Sequence, residues 1–143
     1  MSKSKEGFER REGPTAHANP DLLRMYRRHF VPSPAFEQAA NTAGAIGFDL
    51  EEKGRHRDAV QWHDIDVSLQ RKRGDRGSAS QLKDECNAFF RLGACFAELG
   101  NHTRAVDMYS KQEKLAAKSG SATLQQQAHT NLGKAHLALF GRL

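Results

Sequence analysis

Residues 88–118, AFFRLGACFAELGNHTRAVDMYSKQEKLAAK, decide the fold. Leu92-Gly93 is followed at helical offsets by Phe96, Gly100, Ala105 and Tyr109. Gly93 and Ala105 are small where two antiparallel helix backbones would approach each other. Phe96 and Tyr109 would fill the space beside that contact, and Gly100 would let the chain reverse. The stretch therefore predicts a closely nested helical hairpin.

The same offsets recur on either side. Upstream stand Ile46-Gly47, Leu50, Gly54, Ala59 and His63, with Trp62 beside the second aromatic slot. Downstream, Leu132-Gly133, His136 and Leu139 begin the pattern again. The glycines at 47, 93 and 133 lie 46 and 40 residues apart. This spacing resembles the tetratricopeptide repeat (TPR), a two-helix unit whose standard period is about 34 residues. Longer hairpins are typical of a subclass seen in Pins-like and Tonsoku-like scaffolds. The stretches GRHRDAVQWHDIDVSLQRKRGD and KSGSATLQQQAHTNLGKAHL look like that subclass, as does Asn131-Leu132-Gly133-Lys134. The resemblance covers roughly residues 38–140.

The expected architecture is all-α: TPR-like antiparallel hairpins stacked as a short solenoid of about five helices. Residues 1–34 read as a basic, largely extended arm with a short helix at about 21–30. Asp21 caps that helix and Val31-Pro32-Ser33-Pro34 ends it. The repeats would occupy 35–73 and 80–119, with a terminal helix at 122–140. Gly74-Asp75-Arg76-Gly77-Ser78 is turn-rich and separates the first two units. Gly120 stands where the fourth helix should stop.

Composition narrows the functional classes. The net charge of +5 sits mainly in the arm, at +3 over residues 1–35, and in the loop Arg71-Lys72-Arg73-Asp75-Arg76. Arg24, Arg27 and Arg28 in the arm and Arg71, Lys72, Arg73 and Arg76 in the loop are the candidate contacts for acidic groups. No basic stripe with interleaved aromatics crosses the repeats, so nucleic acid is the less supported partner. No run approaches the 18 apolar residues of a membrane span. The N-terminus has no apolar segment behind its charges, so an intracellular, cytoplasmic protein is expected.

Cys86 and Cys95, nine residues apart, would be about 13 Å apart along one helix axis, too far for a mutual disulfide. Buried, reduced thiols are expected. His56 and His63, like His129 and His136, are seven apart, whereas zinc ligands on one helix are typically three or four apart. His63 and His136 fall in aromatic slots of the pattern, so packing accounts for them. No metal ligand set or cofactor motif is read from these spacings. Asp64 and Asp66 would point to different sides of a helix. Gly-Asp-Arg-Gly-Ser lacks the lysine and spacing of a phosphate loop, and no serine has a nucleophile-elbow context. An enzyme is not expected.

The resemblance implies a groove instead. Positions two, six and nine of each first helix line it, counting the glycine as eight. Position two is Asn41, Asn87 and Gln127; position six is Ala45, Arg91 and Asn131; position nine is Phe48, Ala94 and Lys134. Asn and Gln can bond an extended peptide backbone, and Arg91 can clamp a carboxylate. Asn87, Arg91, Gln127, Asn131 and Lys134 are thus the candidate partner-binding residues. Ala45 and Phe48 depart from the chaperone-type clamp, which puts a heat-shock-protein tail in doubt. The expected function is a non-enzymatic scaffold or adaptor for other proteins within a larger complex. The alternative is a structural subunit embedded in a large assembly, an axoneme or a ribonucleoprotein, through its arm and its apolar last helix.

Overall fold

The computed structural model of the protein describes residues 35–141. The expected arm, its helix at 21–30, Arg24, Arg27, Arg28 and Leu143 lie outside them. The described residues form five α-helices and no strand: α1 (Phe36–Glu52), α2 (His56–Gln70), α3 (Ala79–Glu98), α4 (His102–Ser119) and α5 (Ala122–Phe140). The chain is all-α. Each helix packs on its sequence neighbours, and α5 also touches α3.

The helix ends follow from local chemistry. Ser78, Asn101 and Ser121 each accept a hydrogen bond from the backbone N–H three residues on, which starts α3, α4 and α5. The two intra-hairpin turns are copies of one another. Gly54 (φ 77) and Gly100 (φ 80) take the left-handed conformation that a side chain resists. One residue later, Arg55 N–H donates to the Leu50 carbonyl and Asn101 N–H to the Phe96 carbonyl. Both turns thereby satisfy a carbonyl left open at a helix end.

The nesting expected from the small residues is present in both hairpins. A Cβ on Gly93 would lie 2.7 Å from Cε1 of Tyr109, and one on Gly47 would lie 2.7 Å from Cε1 of His63. Ala59 and Ala105 are fully buried beside these contacts. His63 packs as an aromatic, as its slot implies. At Gly133 nothing lies within 4 Å of a Cβ, because among the described residues no helix follows α5 to fill the slot.

Besides a small cluster of Cys86, Ala116, Leu124 and Ala128 where α3, α4 and α5 meet, two larger apolar layers result. One joins α1 and α2 around Ala40, Ala43, Leu50, Trp62 and Leu69, with Cys95 reaching in from α3. The other joins α3 and α4 around Phe89, Leu92, Phe96, Met108 and Tyr109, with Ala135 of α5. Cys86 and Cys95 are free and buried.

The α2–α3 connection is held by polar contacts. The sequence reads helix to residue 73, but α2 ends at Gln70. The Arg73 side chain turns inward there. It donates to both Asp75 carboxylate oxygens (2.9 and 2.8 Å), to Asp84 (2.6 Å) and to the Gln70 side chain (3.0 Å). These charge-assisted bonds form only if the backbone leaves the helix.

Candidate functional site

The first helices of the units, α1, α3 and α5, share one face. Three cavities of about 380, 510 and 510 Å³ adjoin along it. Asn87, near the middle of α3, lines all three, and Arg91, one turn further on, lines the first two. The spacing of four puts both side chains on one stripe of α3.

The structure brings most of the sequence-predicted groove residues together. Asn41, Ala45 and Phe48 of α1 face Asn87 and Arg91 across the first cavity. Gln127 and Asn131 of α5 face the same pair across the second, with Phe90 and Thr130. Lys134 is exposed and lines none of these cavities. Phe48 (51% exposed) and Phe90 (38%) present apolar surface along the groove. Asn131 also donates to the Gln112 side chain at 3.4 Å, so α4 braces it.

The sequence did not single out the floor of the first cavity. Gly44 of α1 and Asp66 and Gln70 of α2 form it. A Cβ on Gly44 would lie 2.7 Å from Asp66 Oδ2 and 3.3 Å from Arg91 Nη1. Any side chain at 44 would therefore push into both charged groups. The signal was present for Asp66, which continues the inward stripe Ala59, Trp62, Leu69 at spacings of three and four. An acid on a buried stripe warrants a partner search.

Asp66 is 4% exposed. Burial pushes its carboxyl up to about 7, with Asp84 adding to the rise, although Gln70 donates to it at 3.0 Å and the Arg91 charge opposes the shift. Arg91 also acts on Glu51, whose carboxyl lies below its ordinary value. Burial raises Glu51, but bonds from His63 and Cys95 and the charges of His63 and Arg91 outweigh it. Arg91 thus stands between two carboxyl groups, and no described residue accepts a hydrogen bond from its guanidinium. Its Nη1 lies by Gly44 at the floor of the first cavity.

The basic loop is partly engaged within the fold. Arg73 is buried in the contacts above. Arg71 donates to Glu85 at 3.1 Å and stacks over the Phe89 ring at 5.2 Å. Lys72 and Arg76 are exposed. No helix among the described residues is long and apolar enough to cross a membrane.

Comparison with known proteins finds no matching family model, no matching curated relative and no matching solved structure.

Proposed function

We propose that this chain is a non-enzymatic, TPR-like scaffold that holds an extended segment of another protein along the α1–α3–α5 face. The observation that carries the reading is the placement of Asn87 and Arg91 on the shared wall of adjoining cavities, with Gln127 and Asn131 opposite. The amides supply donors and acceptors in the pattern a peptide backbone requires. Arg91 supplies a two-pronged cation for a carboxylate on that segment. Phe48 and Phe90 offer apolar contact for its side chains.

An acid titrating near neutrality in a cavity also suits proton-transfer chemistry. The lining of the first cavity argues against it. Besides Asp66 and Arg91, its ionisable residue is Asp84, which Arg73 already holds. No serine, cysteine, histidine or lysine lines that cavity to serve as nucleophile or second proton carrier.

A second reading, a subunit built into a larger assembly, rests on α5. Leu137 (73% exposed) and Phe140 (58%) project from its C-terminal end, and the His136 ring stacks on Phe140 at 5.8 Å. The rest of the outward stripe is polar at Gln126 and His129 and bare at Gly133, so the apolar part is short.

The groove reading is tested by purifying the tagged chain from its native cells as wild type, Arg91→Ala and Asn87→Ala, with quantitative mass spectrometry of bound proteins. A specific partner should fall about tenfold or more in Arg91→Ala, with thermal melting unchanged, since unpairing one side of a bonded charge is costly. Equal recovery in all three would place the interface elsewhere and reject the groove.

A further inference from the structure

Three helices converge on a second polar cluster. Glu51 comes from the last turn of α1, His63 from the middle of α2 and Cys95 from α3. One donor atom from each lies within 4.8 Å of the other two. The Glu51 carboxylate is bonded by Nε2 of His63 and by the Cys95 thiol. His63 and Cys95 are essentially fully buried, while the Glu51 side chain is 23% exposed.

We propose that Glu51, His63 and Cys95 form a binding site for a zinc-class divalent ion. Thiolate, imidazole and carboxylate are the three ligand types that zinc takes. Calcium and magnesium need six or more oxygen ligands, and this cluster has a single carboxylate. Tetrahedral zinc with ordinary bond lengths separates its donors by about 3.3–3.6 Å. The three donor atoms already lie within 4.8 Å of one another. Each ligand is fixed by packing on its own helix, and the His63 ring lies against Gly47. The Glu51 side chain, 23% exposed, is the cluster's contact with solvent, and a zinc ion held by three protein ligands takes a water as its fourth.

Nδ1 of His63 is buried and has no hydrogen-bond partner, so the ring is held by its Nε2 contact with Glu51 and by packing on Gly47.

The charges balance on binding. The ion forms bonds to Cys95 Sγ, a His63 ring nitrogen and a Glu51 oxygen. Cys95 releases its thiol proton to solvent, His63 binds through a ring nitrogen that carries no proton and keeps one N–H on the other, and Glu51 binds as its carboxylate. One proton leaves from Cys95 per ion, and a second leaves from any His63 that was protonated beforehand. Thiolate and carboxylate together offset the ion's two charges, so Arg91 faces a neutral centre.

The test is cobalt(II) titration of the full chain under reducing conditions, followed by zinc. Wild type should bind one equivalent, with a near-ultraviolet thiolate-to-cobalt band and the visible bands of a tetrahedral ion, both abolished by zinc. Cys95→Ser should lose the thiolate band, and Cys86→Ser should keep it. Glu51→Gln should weaken binding about tenfold or more while circular dichroism shows the helices intact. A folded wild type without a thiolate band overturns the proposal, as does binding through histidines alone. Persistence of the band in Cys95→Ser overturns it as well.

Discussion

Asp66→Asn removes a charge that the fold holds against its ordinary ionisation. In the unfolded chain this carboxyl titrates near 3.8; in the folded protein burial raises it to about 7. Between those values the folded state holds a proton that the unfolded state has lost. Stability therefore falls as pH rises from about 4, and the loss is complete just above 7. The displacement corresponds to a cost on the order of 4 kcal/mol at alkaline pH. Asparagine keeps the acceptor for Gln70 Nε2 and carries no charge to desolvate, at the expense of some attraction to Arg91. The variant should therefore be more stable than wild type by roughly 2–4 kcal/mol at pH 8 and by no more than about 1 kcal/mol at pH 4.5. Urea unfolding of both chains at pH 4.5, 6 and 8 measures this, and the difference between them cancels the titration of every other group. A variant less stable than wild type at pH 8 would refute the reasoning, as would a difference that does not change with pH.

The same substitution bears on the groove. With Asp66 neutral, Arg91 loses a competitor for its charge, so a partner or peptide anchored by a carboxylate should bind Asp66→Asn more tightly at pH 8. Unchanged affinity there would argue against Arg91 as the anchor. Gly93→Ala drives a Cβ to 2.7 Å from the Tyr109 ring and should cost about 1–3 kcal/mol, whereas Gly133→Ala meets open space and should be neutral or stabilise by up to about 1 kcal/mol. Similar melting shifts in the two variants would remove the nesting argument. Arg73→Met breaks the bonds to Gln70 and Asp84 that set the α2–α3 connection and should cost about 1–3 kcal/mol in urea unfolding. A loss that vanishes in high salt would mean that the pairs act only as surface charges.

The helices and their pairing were legible in the sequence because both depend on local spacing. Gly54 and Gly100 carry the turns, Ser78, Asn101 and Ser121 the starts, and Gly47 and Gly93 the nested faces. All of these are set by residues within one hairpin. The positions Asn87, Arg91, Gln127, Asn131 and Lys134 came from the TPR resemblance; the first four line adjoining cavities and Lys134 lines none of them. What tertiary structure alone decided lies between hairpins. Arg73 looked like free basic charge beside Lys72, yet the approach of α3 brings Asp84 to it and takes it out of solvent. Asp66 looked like one of two ordinary acids until α1 and α3 closed over it. Glu51, His63 and Cys95 are 12 and 32 residues apart on three helices, so no spacing rule for a single helix could join them. Periodicity fixes which face of a helix is buried, but which charges meet across that face depends on how far each helix is shifted along its neighbour, and packing sets that shift.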